Sequence, residues 1–207
     1  MKLLREVNSI IILLVQGGSL GFGEEALQSL PGNVGSQDVN DVLTAIDHVI
    51  DMGLASPSKL TVLGGSHSGF LTTKLIGQAP DKFVAAAVGN PVCNIALMVD
   101  TIDFLDWCYV KSYGNKGKNS FTESPSSDDL TLFYSKSPMK TPTLFLLGAQ
   151  DRHVPVFNGL QYARALKERG VETKVIVFPK DVHGIDSPQS DFETSLNIGL
   201  WLKKYCK

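Results

Sequence analysis

The sequence predicts an α/β domain: a mostly parallel sheet of about five strands with helices on both faces. Three observations predict it. Short aliphatic or β-branched runs alternate with longer segments of helical spacing, the pattern of strand–helix–strand crossovers. Glycine and proline fall between these segments, where turns belong. No internal repeat and no linker interrupts the series, so residues 1–207 read as a single domain. Hydrophobic residues make up 43% and charged residues 19% of the 207 positions, enough apolar material for a buried core.

The elements follow in order. "SIIILLV" (9–15) is a continuous apolar run, as expected of a strand buried on both faces. Residues 16–35 are glycine-rich and read as a loop. Over 36–53, Val39, Val42, Leu43, Ile46, Val49 and Ile50 recur at helical spacing, and Gly53 is a natural stop. "KLTVLG" (59–64) is a strand, 67–78 a helix ended by Pro80, and "FVAAAV" (83–88) a strand. Residues 94–113 suggest helix with an irregular cap, and the polar stretch 115–128 an exposed excursion. "TLFLLG" (143–148) and "TKVIVF" (173–178) are strands flanking a helix over 157–170. The segment 188–206 reads as an amphipathic helix with an apolar stripe of Phe192, Leu196 and Leu200, and Trp201 alongside.

Charge and cysteine content narrow the function. A formal net charge of −2, with no basic run, gives no electrostatic reason to expect nucleic acid or an anionic membrane as partner. Cys93, Cys108 and Cys206 are odd in number and widely spaced, which suits idle thiols in a reducing compartment rather than a zinc site or a disulfide framework. The apolar run near the N-terminus is interrupted by Glu6 and Asn8 and lacks a small-residue cleavage site, so it reads as a strand and not a secretory signal. At seven residues it is far short of the about 20 needed to span a bilayer.

In sheets of this kind, sites form at the carboxyl ends of the strands. Ser66 follows one strand within "LGGSHSGF", Asp151 follows the next-to-last, and His183 follows the last. The order Ser, Asp, His is that of the α/β-hydrolase triad, and "GGSHSG" approximates the G-x-S-x-G turn that presents its nucleophile. A serine hydroxyl needs a base to attack; histidine titrates near neutrality and suits that role; an aspartate fixes the imidazole tautomer. Each segment alone has a plainer meaning, since a glycine-rich turn, an Asp-Arg loop pair or a lone histidine is commonplace. Their joint placement points to a hydrolase. His67 adjoins the serine and is expected to supply a backbone N–H to an oxyanion hole. His48 and His153 read as structural. A carboxylate-pair mechanism using Asp103, Asp106, Asp128 or Asp129 lacks a second strand-end acid. Ser68 stands where the pattern has glycine, and local crowding is expected there.

These segments also resemble a known family. "SLGFGEEALQSLPGNVGSQDVNDV", "LGGSHSGF", "GNPVCNIA", "DFLDWCY", "LFLLGAQDRHVPV", "QYARALKERGVE" and "VFPKDVHGI" form a collinear series. It is similar to the catalytic domain of the acylaminoacyl-peptidases, within the prolyl oligopeptidase family, with wording closest to plant members. The resemblance implies an α/β-hydrolase fold and a serine exopeptidase that releases an N-acylated residue from short blocked peptides. It implies Ser66 as nucleophile, Asp151 as acid and His183 as base. It implies no cofactor, no metal, a cytoplasmic setting and frequent oligomers, here a homo-oligomer or association with a full-length relative.

Departures from the family qualify that expectation. No stretch resembles a β-propeller blade, and the strands match the fourth to eighth of the hydrolase sheet, so the domain reads as truncated at its N-terminus. The family's His-Gly-Gly oxyanion segment has no counterpart before residue 17. The family's Tyr-Arg-Gly-Ser is replaced by Gln16-Gly17-Gly18-Ser19. Either residues 9–15 then pair beside the strand ending at Gly64, or that strand is an open edge, and marginal stability is expected. Two readings therefore stand beside the acylpeptide-releasing one: an impaired hydrolase remnant acting by binding, and an esterase for small substrates.

Overall fold

The computed structural model describes residues 18–99, 101, 108 and 139–206. In order it holds α1 (Glu24–Ser29), α2 (Gln37–Asp51), β1 (Thr61–Gly65), α3 (Ser66–Gln78), β2 (Ala85–Gly89) and α4 (Ile95–Val99). These are followed by β3 (Thr143–Gly148), α5 (Phe157–Glu168), β4 (Thr173–Phe178) and α6 (Pro188–Tyr205). The four described strands form one parallel sheet in the order β1-β2-β3-β4. The predicted strand 9–15 and the excursion 115–128 lie outside the described residues, as do Asp103, Asp106, Asp128 and Asp129. The loop expected over 16–35 contains the six-residue α1.

The side-chain period of two sorts the sheet onto two cores. Ala86, Val88, Phe145 and Leu147 face one side and meet Leu71, Leu75 and Ile76 of α3 and Tyr162, Ala163 and Leu166 of α5. Ala85, Ala87, Leu144 and Leu146 face the other side and meet Trp201 and Leu202 of α6. A third cluster, with Phe70, Val92, Met98, Cys108 and Val154, draws on the loops that follow β2 and β3. β3 is buried along its whole length because it has a strand on each side and a helical layer on each face.

One part of the sequence reading needs correction. The core-facing stripe of α6 is Ile198, Trp201, Leu202 and Tyr205, while Phe192 and Leu200 are 56% and 57% exposed. A stripe taken in steps of four drifts by about 40° per step around a helix of 3.6 residues per turn; the buried set alternates steps of three and four and stays on one face. Of the apolar residues of α2, only Val39 is fully buried, with Val42, Leu43 and Ile46 half-buried against the first core. Among the described residues no helix is long and apolar enough to cross a membrane.

Candidate active site

Because the strands are parallel, β1, β2, β3 and β4 all deliver their following loops to one end of the sheet. Ser66 is the first residue of α3, directly after β1, and has φ 54. A non-glycine residue in the left-handed region is strained, and here it is the corner between strand and helix. The corner is tightly made. A Cβ on Gly64 would lie 2.2 Å from the carbonyl oxygen of Ser68, and one on Gly69 would lie 2.7 Å from Cβ of Pro91. Val92 N–H donates to the carbonyl of Ser66 at 3.2 Å, tying the corner to the loop after β2.

The crowding expected at Ser68 does not occur. Ser68 is exposed, and the close approach falls one residue later, at Gly69, which is buried. The motif's late glycine is therefore the one that α3 requires to pass Pro91, while the serine before it points to open space.

Asp151 and His183 are brought together. His183 Nδ1 lies 2.7 Å from Asp151 Oδ2. Oδ1 of the same carboxylate accepts the N–H groups of His153 and Val154, each at 2.9 Å. The Asp151 side chain has no exposure, whereas that of His183 keeps 26%. A carboxylate at Nδ1 takes that nitrogen's proton in hydrogen bond, so Nε2 is the nitrogen left with a lone pair. Ser66 and His183 are not joined by a hydrogen bond among the described residues. The ring of His67 stacks on Phe70 at 5.9 Å, leaving its main-chain N–H in the first turn of α3, where helix amides lack an intrahelical acceptor.

Sequence reasoning missed several groups that build this end of the sheet. His153, read as structural, sets its ring edge-on to His183 at 5.3 Å. Asn90 has φ 40 and is buried, with its side chain reaching the loops after both β3 and β4. Ile185 has φ 45, so Ser66, Asn90 and Ile185 are the non-glycine residues of positive φ among those described, and all follow strands at the same end of the sheet. Asp181, in the His183 loop, accepts from Ser190 Oγ at 2.6 Å at the start of α6. The Ser190 hydroxyl, helped by Ser187, holds the Asp181 carboxyl below the usual carboxylate range, against the opposing effect of burial. Asn158 at the start of α5 is fully buried, and its Oδ1 accepts from Cys93 N–H at 3.0 Å and from Asn94 N–H at 2.6 Å. Asn90, His153, Asp181 and Ile185 fall in segments that carry the family resemblance, but sequence reasoning assigned none of them a functional role, and of these Asn90 alone stands directly after a strand.

The cysteines are free thiols, with Cys93 and Cys108 buried. Burial pushes the Cys108 thiol up to about 11 and raises that of Cys93 further, so neither is a thiolate at neutral pH. Among the described residues no group of three or more His, Cys, Asp or Glu could hold a metal ion.

The chain is similar to known proteins in sequence and in fold. The prolyl oligopeptidase family matches over residues 1–207. The chain is 69% identical over 194 residues to acylamino-acid-releasing enzyme 1 of Oryza sativa subsp. japonica, covering 91% of this chain and 25% of that protein. It is 62% identical to the acylamino-acid-releasing enzyme of Arabidopsis thaliana, covering 92% and 25%. The chain thus spans about a quarter of the length of these relatives. An acylaminoacyl peptidase of Pyrococcus horikoshii superposes with a TM-score of 0.81 at 21% identity, over 93% of this chain and 31% of that one. A puromycin-hydrolyzing peptidase of Mycobacterium tuberculosis superposes equally, at 0.81 and 22% identity, over 92% and 28%. These likenesses identify the sheet and its helices as an α/β-hydrolase fold.

Proposed function

We infer, since the chain belongs to the prolyl oligopeptidase family, that it is the catalytic part of a serine hydrolase releasing N-acylated residues from short blocked peptides. The observation that carries the reading is the His183–Asp151 pair at 2.7 Å, at the same sheet end as a serine held at φ 54. In this reading His183 Nε2 takes the proton of Ser66 Oγ as Oγ attacks the scissile carbonyl carbon. The carbonyl π pair moves to oxygen, and the oxyanion is met by the N–H of His67 and the positive end of α3. Collapse expels the amine, which takes the proton from His183 and leaves an acyl-enzyme; water repeats the cycle to free the acylated residue. Asp151 stays ionised and holds the imidazole. The high identity to acylamino-acid-releasing enzymes supports the substrate class. The free cysteines suit the cytoplasmic setting that belongs to the same reading.

The absence of a Ser66–His183 hydrogen bond gives the remnant reading its own observation, and one experiment separates the two. A fluorophosphonate probe is expected to label the purified chain and to fail on Ser66→Ala. A folded chain that is not labelled overturns the hydrolase reading. N-acetylalanine p-nitroanilide is expected to be cleaved in preference to p-nitrophenyl acetate; the reverse preference favours the esterase.

A further inference from the structure

We propose that Asn90 is a positioning residue which, through its side-chain amide, holds the His183 loop against the Asp151 loop and so sets the imidazole on its carboxylate. The proposal deepens the serine-hydrolase reading and rests on it. Asn90 directly follows β2 and is 3% exposed. Its main-chain N–H still donates to Leu146 O in β3 at 2.9 Å, so the residue is fixed to the sheet. The left-handed turn at φ 40, which asparagine tolerates better than most residues, directs the side chain across the end of β3.

Both ends of the amide are used. Oδ1 accepts Gly148 N–H at 2.8 Å, at the last residue of β3 and three positions before Asp151. Nδ2 donates to His183 O at 2.8 Å and to Val182 O at 3.4 Å. The partners fix the amide orientation, because a main-chain N–H only donates and a main-chain carbonyl only accepts. One buried side chain therefore joins the ends of β2 and β3 to the backbone of the base. The two loops it joins are already in close approach, since a Cβ on Gly148 would lie 2.4 Å from Val182 O. His183 is followed by Gly184 and by Ile185 at φ 45, so its own loop is strained and needs an external hold.

Aspartate keeps the acceptor for Gly148 and loses the donor to His183 and Val182, while glycine keeps the left-handed backbone and loses all three bonds. Asn90→Gly and Asn90→Asp are therefore compared with the wild-type chain by thermal melting and by the rate of Ser66 labelling. The His183 Nδ1 proton is followed by NMR, assigned by its loss in His183→Gln. We expect cooperative melts, labelling slowed about 10- to 100-fold in both variants, and a shifted or exchange-broadened Nδ1 proton. Wild-type labelling together with an unmoved Nδ1 proton in either folded variant overturns the proposal. A wild-type chain that is not labelled overturns the hydrolase reading instead, and the Nδ1 proton then decides the role of Asn90 by itself.

Discussion

Gly69 and Ser68 show how finely the strand–helix corner is specified. A methyl on Gly69 meets Cβ and Cα of Pro91 at 2.7 and 2.8 Å, and the proline backbone cannot swing aside. Gly69→Ala is expected to cost about 1–3 kcal/mol in urea denaturation. Ser68→Gly restores the common motif spelling but is expected to leave stability unimproved, with a loss of up to about 1 kcal/mol for glycine inside a helix. Ser66, Asp151 and His183 stood out as candidates because three chemically meaningful residues fell after three strands in a meaningful order, and the structure pairs Asp151 with His183. Asn90 did not stand out, because its importance lies in a bridge of 58 and 93 positions that only the folded sheet creates. The crowding at Ser68 was misplaced for a similar reason: the sequence names the small residues but not which one faces Pro91.

Elements place these residues, and the junction of the His183 loop with α6 is one such joint. Ser190 Oγ donates to Asp181, and the Ser187 hydroxyl lies 2.8 Å from that of Ser190. A carboxyl held below its ordinary value stabilises the fold above the unfolded pKa and loses that contribution as pH falls through the folded one. Ser190→Ala is therefore expected to lower Tm near pH 6, and its difference from the wild-type chain is expected to shrink below about pH 4. A deficit that stays constant into acid overturns the linkage. The four described strands were read within two residues of their bounds because aliphatic runs between glycines leave little choice. The buried face of α6 was misread because exposed Phe192 and Leu200 advertise hydrophobicity that the sheet does not use.

The whole domain carries an unusual buried cation. Lys74 is 7% exposed, and burial pushes its ammonium down to about 8, with Cys93 and Asp38 acting the other way. Between pH 8 and the ordinary lysine value of 10.5 the unfolded chain binds the extra proton, so stability rises with pH there, by about 1.4 kcal/mol per unit. The buried thiols oppose this. From their ordinary value of 9.0 upward the unfolded chain loses thiol protons that the folded chain keeps, and stability falls. Melts from pH 7.5 to 10.5 are expected to peak near pH 9, and Lys74→Met is expected to remove the rising limb; a wild-type Tm that falls steadily from pH 7.5 overturns the assignment. The parallel sheet was legible in the alternation of segments. The unequal cover of its strands was not: β3 is wholly buried while Leu63 in β1 is 49% exposed, a contrast set by strand order and not by composition. The indole of Trp201 donates to Ala86 O in β2 at 3.1 Å, across 115 positions of sequence. In a nascent chain the serine corner therefore leaves the ribosome before α6, and the second face of the sheet stays bare until α6 follows. Until α6 is made, Ala85, Ala87, Leu144 and Leu146 lack their cover, and over that interval the nascent chain is open to aggregation.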